Sequence, residues 1–122
     1  MIALSRQQFV RMVRQSYRQL PPGVRRVLRN VDVVVEDRPR GDDLDLVSET
    51  DTLFGLYTGV PLIHREGPDP MLPDRITIYR RPILERCATV AEVAEQVRIT
   101  LWHEVGHYLG MDEGDLHRLG YG

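Results

Sequence analysis

Apolar residues recur at helical spacing near the start of the chain. Between residues 5 and 20 they alternate with arginines: Phe9, Val10, Val13, Tyr17 and Leu20 on one side, and Arg11, Arg14 and Arg18 on the other. This period of about 3.6 residues predicts an amphipathic helix that begins after Ser5, a favoured N-cap residue, and ends before Pro21. Pro22 is suited to the first position of a helix, so a second, short helix is predicted to run to Leu28.

The middle of the chain changes to the period of β-strands. Val31 to Asp37 is rich in β-branched residues and predicts a strand with a largely buried centre, whereas Arg75 to Tyr79 alternates and predicts a half-buried strand. Residues 53–63 predict two short strands around a turn at Thr58-Gly59, with Gly55 and Pro61 marking an edge or a bulge. The polar residues 38–51 and the proline-rich residues 67–74 predict loops.

Helical spacing returns in a long segment that begins after Thr89. Its apolar positions are Val90, Val93, Ala94, Val97 and Leu101. Thr89 and Glu92 match a capping box, and Gly110 stands where a helix often ends in a left-handed residue. The order of elements predicts the α+β class, as a single domain over residues 1–122 in which a small twisted mixed sheet packs on the long helix.

Composition excludes several classes of protein. The 122 residues suffice for one domain, and the net charge of −2 gives no general attraction to nucleic acid. The lone Cys87 excludes an intramolecular disulfide and is expected to be a small buried side chain. No secretory signal pattern or membrane-spanning apolar run is present in the sequence. We therefore expect a cytoplasmic monomer or homodimer without nucleic-acid or membrane partners.

The first forty residues carry nine arginines against Asp32, Glu36 and Asp37. We interpret the arginines as a solvated helix face, with a basic surface for an acidic partner as the alternative.

The strongest chemical signal is His-Glu-x-x-His at residues 103–107 of the long predicted helix. Side chains four positions apart lie on the same helix face, so His103 and His107 can bind one metal ion. Glu104 lies beside that pair, where it can take a proton from water as general base. Two imidazoles, a carboxylate base and room for a third ligand are typical of zinc hydrolases, so Zn²⁺ is the predicted cofactor.

The residues that follow the motif limit the candidates for the third metal ligand. Fifteen residues follow His107, and a turn at Gly110 would bring the next few back over the imidazoles. The candidate ligand types among them are Asp112, Glu113, Asp115 and His117. We favour Glu113, six residues after His107, then Asp112. His117 is a weaker alternative, more typical of the surface of a C-terminal turn.

Five segments carry a resemblance to a known family: residues 31–37, 53–62, 72–80, 103–110 and 119–121. In their order and spacing the chain resembles the minimal zincins, small bacterial zinc metallopeptidases with the motif His-Glu-x-x-His-x-x-Gly-x-x-(Asp or Glu). The resemblance implies an active-site helix under a small sheet and one catalytic zinc. Glu113 occupies the third-ligand position, where the family often has Asp.

The predicted activity is hydrolysis of peptide bonds in a peptide or protein substrate, with Glu104 as the catalytic base. A substrate strand is expected to pair with the sheet edge in residues 53–63, flanked by Tyr57. Tyr121 is expected to pack near the two histidines and support their orientation. The alternatives are a non-catalytic metal-binding or interaction domain and, less favoured because of Glu104 and the acidic residues after it, a zinc-dependent RNA hydrolase.

Overall fold

Helices flank a small sheet in the computed structural model, which describes residues 2–41, 53–59, 74–118 and 120. The elements, in chain order, are α1 (Arg6–Arg18), α2 (Pro22–Val27), β1 (Val31–Glu36), β2 (Gly55–Thr58), β3 (Asp74–Tyr79), α3 (Arg80–Arg86), α4 (Val90–Tyr108) and α5 (Glu113–Arg118). The predicted α+β class is confirmed. The predicted loops of residues 42–51 and 67–73, and any strand after Gly59, lie outside the described residues.

The sheet is mixed, as predicted, with the strand order β1-β3-β2. β3 pairs in parallel with β1, where Val33 lies opposite Ile76, and antiparallel with β2, where Tyr57 lies opposite the same residue. β3 is thus the central strand, with the longer β1 parallel to it on one side and the shorter β2 antiparallel to it on the other.

The burial of the two longer strands is the reverse of the prediction. Residues 76–79 of β3 are all buried, including Thr77, so β3 is not half-buried. In the centre of β1, Val33 and Val34 are only half-buried. The reason is their place in the sheet: β3 has a neighbour on each side, whereas β1 lies at the margin of the described strands.

Helix α4 packs on the sheet through a narrow apolar stripe. Val93, Val97, Leu101 and Val105 are fully buried and follow one another at intervals of four residues. They join a core that also contains residues of α1 and β3, among them Phe9, Val13, Ile76 and Ile78. The predicted stripe was too wide, because Val90 and Ala94, on the first turns of α4, are exposed.

Capping explains where the predicted helices begin. Ser5 and Gln8 form a reciprocal capping box at α1, with hydrogen bonds of 3.1 and 2.9 Å. At α4 only half of the predicted box forms: Thr89 accepts from the Glu92 N–H, while the Glu92 carboxylate accepts from Ala88.

Helix α3 was not predicted from the sequence. Pro82 is its third residue, where a backbone N–H would have no acceptor within the helix, so the proline does not break it. The helix ends at Cys87, which is buried as predicted. Burial raises the pKa of its thiol, so the side chain stays neutral.

A cluster of charged residues joins the start of α1, the end of β1 and the start of α3. Arg80 donates from Nε to the Asp37 carboxylate at 2.9 Å and from Nη1 to the Leu4 carbonyl at 2.7 Å. Arg6 lies 3.7 Å from the same carboxylate. The Arg80 hydrogen bond lowers the pKa of Asp37, so Asp37 stays charged at neutral pH and fixes both arginines.

Among the described residues, no helix combines the length and apolar character that crossing a membrane would need.

Candidate metal centre

The last two turns of α4 bring His103, Glu104 and His107 together, as the sequence spacing requires. One donor atom from each lies within 4.8 Å of the others. The two histidine Nε2 atoms are 3.0 Å apart, and their rings meet at 61° with centroids 4.7 Å apart. Both histidines are half-buried, whereas Glu104 is only 5% exposed. The two histidine nitrogens are thus close enough to bind one metal ion, and a buried carboxylate lies next to them.

This donor arrangement fits a tetrahedral zinc ion. Two nitrogens bound to zinc at about 2.05 Å, with a tetrahedral angle between them, are separated by about 3.3 Å. The observed 3.0 Å between the Nε2 atoms therefore needs an adjustment of only a few tenths of an ångström. Without a metal, the same separation permits one neutral imidazole to donate to the other. Imidazole nitrogens with a carboxylate form a ligand set that zinc prefers.

Strand β2 lies directly against the candidate base. A Cβ atom built on Gly55 would be 2.6 Å from Thr100 Cγ2, 3.1 Å from the Thr77 carbonyl and 3.3 Å from Glu104 Cγ. The backbone of β2 therefore approaches α4 at a distance that only glycine permits. Sequence reasoning identified Gly55 as a strand irregularity but missed this contact, although a glycine inside a strand is a known signal of close backbone approach.

Replacing Gly55 with alanine is expected to separate β2 from α4. Overpacking of this kind typically costs about 1–3 kcal/mol of unfolding free energy. Thr100→Ser removes the closest methyl group and keeps the hydroxyl that accepts from Gln96. In a urea-unfolding double-mutant cycle, Thr100→Ser should therefore reduce the cost of Gly55→Ala. Additive effects of the two substitutions would show that the glycine contact with Thr100 does not limit this approach.

After the histidines, helix α4 ends at Gly110 in a left-handed residue, as predicted, while the predicted return of the next residues over the imidazoles stays a prediction. Gly110 has a φ of 90°. The Met111 N–H donates to the Gly106 carbonyl at 2.8 Å, and the Gly110 N–H donates to the backbone carbonyl of His107 at 3.0 Å. These bonds end α4 in a left-handed turn of the Schellman type.

Asp112 caps the next helix, α5. Its Oδ1 accepts from the Asp115 N–H at 2.8 Å, and its own N–H donates to the Asp115 carboxylate at 3.2 Å. The Asp115 N–H lowers the pKa of Asp112. Glu113 is the first residue of α5, but its side chain, like Tyr121, lies outside the described residues. His117 is exposed in the last turn of α5. The choice of third ligand and the role of Tyr121 stay predictions.

A family model of zincin-like metallopeptidases matches residues 28–122. The chain belongs to this family. Membership implies a metal ion, and the side chains of His103, Glu104 and His107 form the candidate site for it. No curated protein matches the chain. Helices α1 and α2 precede the segment that matches the zincin-like family.

Tyr57 connects the sheet of this zincin-like chain with α4, the helix that carries the candidate site. Its hydroxyl donates to Asp74 Oδ1 at 2.7 Å, and its ring centroid lies 5.7 Å from that of Tyr108, the neighbour of His107. Asp74 is only 2% exposed, so this bond satisfies a buried carboxylate at the start of β3. Gly59, with a φ of 144°, passes beside the same carboxylate. Tyr57 is half-buried, and its predicted place beside a substrate stays a prediction.

Proposed function

We propose that the chain is a zinc peptidase that hydrolyses peptide or protein substrates. His103, His107 and Glu113 would hold the zinc ion, and Glu104 would act as general base. The observation that carries this proposal is the buried Glu104 beside two imidazoles whose Nε2 atoms are 3.0 Å apart, within a family of metallopeptidases.

Each residue has a distinct part in the proposed chemistry. Zinc, when bound, supplies Lewis acidity that lowers the pKa of water toward about 7 and polarises a carbonyl group. The Glu104 carboxylate accepts a proton from the attacking water and delivers it to the nitrogen of the leaving amine. Its Oε2 is 3.9 Å from His103 Nε2, so it lies beside the histidine pair without a hydrogen bond to that nitrogen.

Glu113 is the better third ligand than Asp112 on two grounds. Asp112 Oδ1 already accepts a hydrogen bond that stabilises the start of α5. Glu113 follows the Gly110 turn at the position that the family resemblance assigns to the third ligand. His117, in the exposed last turn of α5, remains the alternative.

The substrate would bind as an extended strand along β2. This strand has β3 on one side and contacts α4 beside Glu104 through Gly55. A peptide that pairs with the other side of β2 would place a carbonyl close to the carboxylate. Tyr57 on β2 is the proposed flank of this cleft. Glu104, Asp112 and Asp115 disfavour a polyanionic substrate, so we propose a peptide rather than RNA.

Metal removal tests the proposal. Protein stripped by a chelator is expected to lose peptide cleavage, and one equivalent of zinc per chain should restore it. Cleavage is measured by mass spectrometry on a peptide library, with a single-stranded RNA pool assayed in parallel.

The outcomes of this experiment separate the three candidate functions. Zinc-dependent peptide cleavage supports the peptidase. Zinc binding with neither substrate cleaved would indicate a non-catalytic metal-binding domain, and zinc-dependent cleavage of RNA alone would indicate a nuclease.

A further inference from the structure

A groove of about 540 Å³ runs between α1 and β1. β3 lies between β1 and β2, and β2 is the strand in contact with Glu104. The groove is therefore on the side of the sheet remote from the candidate metal centre. Its lining includes part of α1, which precedes the segment that matches the zincin-like family.

The groove follows the edge of β1 rather than one of its faces. Val33, Val34 and Val35 all line it, although successive side chains of a strand point to opposite faces. The Val35 carbonyl accepts from Arg6 Nη2 at 2.6 Å, so this carbonyl points away from β3. Because main-chain groups alternate along a strand, the N–H and carbonyl of Val33 point the same way. An extended segment in the groove would meet these groups.

The walls of the groove are apolar and partly accessible. Val10 and Tyr17 of α1 line it together with Val33 and Val34 of β1, and all four are half-buried. A ligand with apolar side chains at these positions would remove the exposed parts of these four side chains from water. This burial of apolar surface would favour binding.

The rim of the groove is positively charged. Arg6, Arg14 and Arg18 line it, and none of the acidic side chains that the structure describes does. Among the described residues, no carboxylate pairs with Arg14 or Arg18. The excess of positive charge extends beyond the groove. Residues 2–31 contain no Asp or Glu, but they contain seven arginines: Arg6, Arg11, Arg14, Arg18, Arg25, Arg26 and Arg29. An acidic occupant would complement this charge.

We propose that the groove binds an extended acidic segment of a partner protein, whose residues alternate between acidic and apolar side chains. Its main chain pairs with the outer edge of β1 at Val33. Its carboxylates face Arg14 and Arg18, and its apolar side chains contact Val10 and Tyr17. A nucleic acid matches the charge but has no main chain to extend the sheet and no aliphatic side chains for the valine walls.

Fluorescence anisotropy with a labelled peptide of alternating Glu and Val tests this proposal. The wild-type chain should bind it, and Arg14→Glu combined with Arg18→Glu should weaken binding by about tenfold or more, since each attraction becomes a repulsion. A peptide of the same sequence with N-methyl groups on alternate amides should also bind at least about tenfold more weakly, because it cannot pair with a strand edge.

Arg11 provides the matched control. It is exposed on α1 and does not line the groove, so Arg11→Glu reverses one charge outside it, and its effect is compared with that of Arg14→Glu alone, which reverses one charge at the rim. Equal weakening by Arg11→Glu, tighter binding of a single-stranded oligonucleotide, or no binding of the peptide by the wild-type chain would each overturn the proposal. Thermal unfolding of each variant checks that the fold is retained. The readout is binding, so it is independent of zinc and of peptide hydrolysis.

Discussion

Glu104→Gln is expected to lower kcat for peptide hydrolysis by at least about 100-fold, and up to about 10⁴-fold, the usual contribution of a general base. The amide has the size of the carboxylate, so it fits the same buried position against Gly55, but it cannot accept the proton of the attacking water. Zinc content should remain one ion per chain, because the two histidine nitrogens are unchanged.

Glu95→Gln is the control for this substitution. Glu95 is on the same helix, but it is exposed and its carboxylate pairs with Arg98. We expect wild-type hydrolysis from this variant. Wild-type kcat from Glu104→Gln would exclude Glu104 as the base, and loss of zinc from it would instead make Glu104 a metal ligand.

Helices α1, α2 and α4 and the histidine pair could be predicted because their signals are local, whereas α3 and α5 were not predicted. Residues four apart on a helix face the same side whatever surrounds them, so His103 and His107 meet as soon as α4 forms. The left-handed Gly110 and the Ser5 cap depend on a few neighbouring residues. Helix α3 lacks such a local start signal. Pro82 is compatible with a helix only near its start, and no capping residue in the sequence marks Arg80 as that start.

The three described strands were predicted in place but not in burial, because burial depends on sheet order. The valines of β1 resemble a central strand, yet β1 lies at the margin of the described sheet. Thr77 resembles a solvent-facing residue of β3, yet it is buried because β3 has a strand on each side. Propensity reports how well a residue suits a strand and carries no information on which strand becomes central.

The contacts that position Glu104 also depend on residues distant in sequence. Gly55 and Glu104 come together only when β2 packs on α4, and Tyr57 meets Asp74 only when β2 pairs with β3. The sequence therefore predicts the chemical groups of the centre, while the packing of β2 on α4 determines how closely the base is held.

Removal of either histidine is expected to abolish stoichiometric zinc binding. His103→Ala or His107→Ala leaves one imidazole of the pair whose Nε2 atoms are now 3.0 Å apart. Loss of one of three protein ligands should weaken zinc affinity by at least about 100-fold, more than the loss of a supporting hydrogen bond. Competition with a chromophoric chelator at limiting zinc measures this affinity. Unchanged affinity in either variant would exclude the proposed site.

The same titration distinguishes the candidate third ligands. Glu113→Ala should weaken zinc affinity in the manner of the histidine variants. Asp112→Ala should instead act mainly on α5, because the Asp112 carboxylate caps that helix, and His117→Ala should leave affinity unchanged. If Asp112→Ala or His117→Ala matches the histidine variants while Glu113→Ala does not, the third ligand is that residue and the assignment of Glu113 is wrong. The two histidines would keep their roles in either case, because their place on one face of α4 does not depend on the residues after Gly110.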